Sequence, residues 1–154
     1  MSFGSVFEHG DHEVLPWLGG ARLRMIAGTD ATAGTLSVLQ IEADDGYVAA
    51  LHRHRNEDEL FLVLDGAMRV QVGPDAWDVR VGQAAFLPRG VPHSFRISSD
   101  GSRLLHISTP GGLDAYFRAA SALLSGDRPE AEDIPPATLA RITELAASYG
   151  IEYL

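Results

Sequence analysis

Between Arg22 and Ser108, apolar residues come in short runs broken by turn-forming clusters: Asp44-Asp45-Gly46, Asp65-Gly66, Gly73-Pro74-Asp75, Arg89-Gly90 and Asp100-Gly101. Runs this short, punctuated this often, predict many β-strands folded into a sandwich or barrel. The strands expected are Leu23–Ala27, Leu36–Ile41, Ala50–His54, Glu59–Leu64, Ala67–Val72, Ala76–Val81, Ala84–Leu87, His93–Ile97 and Leu104–Ser108. Asp65-Gly66 sits where a tight hairpin turn is needed. After Thr109-Pro110-Gly111-Gly112 the period changes. Leu113, Tyr116, Phe117, Ala120, Leu123 and Leu124 recur at helical spacing until Gly126. A proline-containing linker follows, then a second apolar stripe: Leu139, Ile142, Leu145, Ala146 and Tyr149, with Pro136 at its start and Gly150 past its end. Each helix has one apolar stripe and needs the β core to cover it. Residues 1–154 therefore read as a single domain, with a barrel over about 20–110 and a helical segment over about 113–150.

Strand alternation assigns faces. If Glu59 points inward, so do Phe61 and Val63. Met68, Val70 and Val72 follow across the hairpin, then Trp77, Val79 and Val81, and with His93 come Phe95 and Ile97. The expected pocket lining is Phe61, Met68, Val72, Phe86 and Phe95, with no arginine facing in, which disfavours a phosphorylated substrate. Glu59–Leu64 is apolar on both faces, and its outward set, Leu60, Leu62 and Leu64, needs a cover. A homodimer with isologous contacts is expected.

Composition narrows the class. At 154 residues, with 45% hydrophobic and 21% charged residues, the chain is an ordinary globular domain. Its 12 basic against 21 acidic residues give a formal charge of −9, which argues against nucleic acid and anionic membranes as partners. The absence of cysteine excludes disulfides, zinc–thiolate sites and thiol catalysis. The N-terminus lacks a secretory pattern and no apolar run reaches membrane-spanning length, so a soluble cytoplasmic protein is expected.

The chemistry concentrates in four residues. His52 and His54 are two apart, so on a strand both face one side while Arg53 faces the other. With Glu59 and His93 they offer three imidazoles and one carboxylate, enough to hold one divalent metal with positions left open. Nitrogen and oxygen donors without thiolate suit Fe, Ni, Co, Mn or Zn. Such a site carries a net charge of about +1 and attracts an anionic oxygen ligand such as an enolate or carboxylate. His106 has two readings. With Leu104 inward it could act beside the site; with Leu105 and Ile107 inward it lies outside, and the outward direction is preferred. Glu57 and Asp58 read as a solvated rim, His9 and His12 as solvated, and Asp114 as an early-turn acid complementing its helix.

The same residues carry a resemblance. Gly46, His52, His54, Glu59 and Gly66 fit every position of the first motif of the cupin superfamily, G-x5-H-x-H-x4-E-x6-G. Gly82, Pro88, Gly90 and His93 fit the second, G-x5-P-x-G-x2-H-x3-N, with Ile97 in place of its final Asn. The resemblance covers about Leu36 to Pro110. It implies an all-β double-stranded β-helix, the jelly roll, here followed by two α-helices. The segments Thr109–Phe117 and Ser148–Glu152 are similar to the tails of monocupins resembling bacterial quercetin 2,3-dioxygenases. That likeness implies a metal-dependent dioxygenase acting on a flavonol-like or polyketide enol, with Glu59 as both ligand and base and an aromatic small molecule as substrate. The alternatives are a cupin isomerase or cyclase using the metal as a Lewis acid, or a non-enzymatic small-molecule binder.

Overall fold

The computed structural model describes residues 4–154. Eleven strands among them form two antiparallel sheets facing each other as a jelly roll. The strands are β1 (Val14–Pro16), β2 (Arg22–Ala27), β3 (Ser37–Ala43), β4 (Val48–His54), β5 (Asp58–Asp65), β6 (Ala67–Val72), β7 (Asp75–Arg80), β8 (Ala84–Leu87), β9 (His93–Ile97), β10 (Ser102–Thr109) and β11 (Ile151–Tyr153). One sheet runs β1-β2-β3-β10-β5-β8, the other β11-β4-β9-β6-β7. Two helices, α1 (Leu113–Ser121) and α2 (Pro136–Ser148), follow β10.

Alternation along the strands builds the core. Leu23 and Met25 of β2, Leu39 and Ile41 of β3, Phe61 and Val63 of β5, Phe95 and Ile97 of β9, and Leu104 of β10 are all buried between the sheets. Ile97, where the second motif would place Asn, is one of these core residues. Gly66 closes the β5–β6 hairpin at φ +76°. A Cβ there would overlap the Ser102 side chain and lie 3.0 Å from the Ser102 Cα, so the turn has room only for glycine.

Several expectations change. Two three-residue strands, β1 and β11, join the edges of the two sheets. The first helix stops at Ser121, and Leu123 and Leu124 continue as tighter turns bonded to Ala120 and Ser121 carbonyls. Trp77 and Val81 are 51% and 60% exposed. β7 is the outermost strand of its sheet and pairs with β6 alone, so inward parity does not bring Trp77 cover there. Asp114 does more than complement its helix. It is buried, accepts from Thr29 N (3.1 Å) and the Thr29 hydroxyl, and pairs with Arg118 Nη1 at 2.7 Å. Those bonds tie α1 to the loop after β2.

The C-terminal strand is fastened to β4, pairing Tyr153 with His52, Glu152 with Arg53 and Ile151 with His54. Gly150, at φ +80°, turns the chain out of α2 into this strand, and its carbonyl accepts from Arg55 N at 2.8 Å. Glu152 accepts from Arg53 Nε at 2.5 Å and also pairs with Arg55. No helix among the described residues is long and apolar enough to cross a membrane.

Candidate metal centre

β4 contains one extra residue relative to its neighbour. Ala49 faces Phe95 and His52 faces His93, so three steps along β4 match two along β9. This β-bulge lets Ala49 and His52 point to the same side although they are an odd number of residues apart. His52 and His54 then enter the barrel from β4, Glu59 from β5 and His93 from β9. One ligand atom from each lies within 4.8 Å of every other.

The imidazoles are oriented from behind. His52 Nδ1 lies 2.6 Å from the Ala50 carbonyl, which belongs to the bulge, and His93 Nδ1 lies 3.0 Å from the Val91 carbonyl. A carbonyl only accepts, so each Nδ1 carries the proton and each Nε2 keeps its lone pair for the centre. Behind His54 Nδ1, at 3.5 Å, sits Glu57 Oε2. Glu57 is thus buried against a ligand rather than solvated on a rim. Asp58 faces outward as expected and pairs with Arg89 at 2.8 Å.

Glu59 divides its oxygens. Oε1 accepts from His106 Nε2 at 2.8 Å. Oε2 lies 3.0 Å from His93 Nε2 and 3.3 Å from His54 Nε2. His106 therefore faces inward, with Leu104, and the preferred outward reading is corrected. Its register opposite Phe61 fixes the direction, and its ring stacks on Phe61 at 4.5 Å.

Burial alone would raise the Glu59 carboxyl pKa. The bond from His106 and the close approach of His93, then the charges of His106 and His54, outweigh it and hold the group well below the usual carboxylate range. Burial, followed by the neighbouring His93, pushes His52 down to about 4, so its ring is neutral near pH 7. Glu59 Oε2 and His93 Nε2, though 3.0 Å apart, are buried without a properly oriented hydrogen bond. Such orphans cost about 1–3 kcal/mol each. A divalent cation between them would satisfy both. The donor set of three nitrogens and one oxygen, without sulfur, fits a first-row transition ion.

The centre opens into a cavity of about 140 Å³ between the sheets. Phe61 and Phe95 line it, and no arginine does. Met68 is fully buried core and is not among the lining residues. Val72 and Phe86 border a separate groove of about 330 Å³ between β7 and β8. Phe86 pairs with Leu60 rather than Glu59, which turns it to the outer face, 58% exposed. The lining that alternation did not supply comes from outside the strands it was applied to: Trp17, Tyr47, Tyr116, Phe117 and Tyr153. The helical stripe already contained Tyr116 and Phe117; nothing in the sequence aimed them at the metal strand.

Fold and site together define a jelly roll with a His3Glu cluster, half-buried at His52 and buried at the other three, able to hold a metal ion. The sequence matches the Cupin domain family over residues 39–108. It is 27% identical over 89 residues to quercetin 2,3-dioxygenase of Bacillus subtilis (strain 168), a match covering 58% of this chain and 26% of that enzyme. The chain thus spans about a quarter of the curated relative's length. Among solved structures, KdgF from Halomonas sp. superposes with a TM-score of 0.65 at 22% identity, covering 72% of this chain and 99% of the other. An RmlC-like cupin from Shewanella frigidimarina NCIMB 400 gives 0.62 at 22%, covering 75% and 96%. At that identity the two structures establish the shared fold.

Proposed function

We propose that this cupin is a metal-dependent dioxygenase acting on an enol-bearing aromatic or polyketide small molecule. The observation that carries the reading is the division of Glu59: one oxygen faces the imidazoles of His54 and His93, and the other is held by His106 in the wall of an apolar cavity. The sequence similarity to a quercetin 2,3-dioxygenase supports the same chemistry. His52, His54, Glu59 and His93 would hold the ion, which supplies Lewis acidity toward a substrate oxygen. Glu59 stands ready as a carboxylate near neutrality, positioned to take the enol proton. His106 keeps Oε1 in place, so the carboxylate meets the substrate in one orientation. Phe61, Phe95 and Phe117 exclude water and hold a flat ring. Dioxygenation places both atoms of dioxygen in the product and needs no external reductant.

Oxygen uptake by metal-loaded protein, measured with quercetin and with one-ring enols, tests this. Glu59→Gln retains an oxygen donor and most of the metal but loses turnover by about 10²-fold or more. Enols that bind the loaded protein without consuming oxygen would overturn the dioxygenase reading and favour a binding or Lewis-acid role.

A further inference from the structure

The cavity has a second polar end. Three rows of rings lead away from the metal centre. From His106 one runs through Phe61 (4.5 Å) and Phe95 (5.0 Å) to Tyr47 (6.0 Å). Another runs from His106 through Phe117 (6.1 Å) to Tyr116 (5.4 Å). The third is the pair His52–Tyr153, at 5.7 Å. Each row ends on a phenol.

Tyr47, Tyr116 and Tyr153 all line the one cavity. Burial raises the pKa of the Tyr116 hydroxyl, and Tyr153 and then Tyr47 raise it further. For Tyr47, burial again raises the pKa, opposed by the Trp17 indole and assisted by Tyr153. Tyr116 is 2% exposed, lines the cavity, and its hydroxyl has no hydrogen-bond partner. An unpaired buried hydroxyl is costly and calls for an explanation. Trp17 packs edge-on against both Tyr116 and Phe117 (5.9 and 5.0 Å), so α1 holds the hydroxyl in place.

We propose that the hydroxyls of Tyr47, Tyr116 and Tyr153 form a second recognition point, which takes a neutral oxygen substituent of a one-ring enol whose other end sits at the His3Glu centre. Neutrality follows from the lining, which contains no arginine to pair a carboxylate. Size follows from the volume. About 140 Å³ is close to the ~150 Å³ of an engineered cavity that holds benzene, so a single ring fits. The inference rests on the metal-centred reading of the cavity and adds the substrate's shape and its second oxygen.

Kojic acid and allomaltol test it. Both are one-ring enol-ketone chelators, and they differ only in a hydroxymethyl against a methyl group across the ring from the enol. Calorimetry on nickel-loaded protein should give kojic acid about a tenfold or greater preference, the scale of one buried hydrogen bond. Tyr116→Phe should reduce that preference to within about threefold, with nickel content unchanged and melting temperature equal or higher, since it removes an orphaned hydroxyl. Tyr47→Phe should move the preference the same way. Equal affinities in the wild type, binding of neither compound by nickel-loaded protein, or a preference intact in both variants would overturn the proposal. Failure of the wild type to take up nickel would instead overturn the metal-centred reading beneath it.

Discussion

Glu59 is held by His106 at Oε1 and faces the candidate metal site with Oε2, so loss of each neighbour acts differently. Removing a histidine of the cluster would take a donor from a bound ion, whereas removing His106 would leave the donor set complete but free Glu59 Oε1 to rotate. His106→Phe keeps the stack on Phe61 and deletes only the bond. It should retain metal while turnover falls by about 10- to 100-fold, the range for partners that orient a ligand, read by metal analysis beside oxygen uptake. That His52, His54, Glu59 and His93 come together was legible in the sequence, because two motifs and a two-residue spacing fix type and face together. His106 was not. β10 sets Leu104 and His106 on one face against Leu105 and Ile107 on the other, so each face carries an apolar residue and alternation gives no direction. Glu57 was misread because a charge in a loop is ordinarily solvated, and only the fold shows it tucked behind His54.

Asp114 ties α1, an element that lines the cavity through Tyr116 and Phe117, to the loop after β2. Burial raises its pKa, but the two bonds from Thr29 and the pair with Arg118 outweigh this, and the folded value lies below the ordinary one of about 4. A group whose pKa falls on folding contributes stability above its unfolded pKa and loses it as pH drops through the folded pKa. Asp114→Asn should therefore destabilise the protein by about 1–3 kcal/mol at pH 7. The gap to the wild type should close as urea titrations are taken below about pH 4. The core strands and both helices were visible as changes of period. β1 and β11 were invisible because three residues carry no period, and their pairing depends on partners far along the chain. Gly150 signalled a helix end but not the strand beyond it.

Across the six-stranded sheet, the outer face carries an apolar band. Val38, Ile107, Leu60 and Phe86 stand side by side on β3, β10, β5 and β8, and Leu105, Leu62 and Ala84 form the next row. The described helices pack elsewhere, α1 at the cavity and α2 against β11. We expect a second copy of the chain to cover this band through an isologous contact. Light scattering at micromolar concentration should give a dimer mass, and Leu62→Arg should give a monomer with metal content intact. A monomeric wild type would refute it.

The extra residue in β4 bears on how much change such a site tolerates. Side chains along a strand alternate like a two-letter frame, and the bulge between Ala49 and His52 shifts that frame once, upstream of both histidines. Deleting Leu51 takes out the extra residue and leaves Ala49 and His52 two apart, so on a regular strand anchored at Ala49 both histidines would still face inward. Such a variant should fold, keep its far-ultraviolet circular dichroism and take up metal, read by elemental analysis, although the spacing from Gly46 to His52 no longer fits the motif. Loss of metal would instead show that the bulge itself, through the Ala50 carbonyl behind His52 Nδ1, is what holds the ring in place.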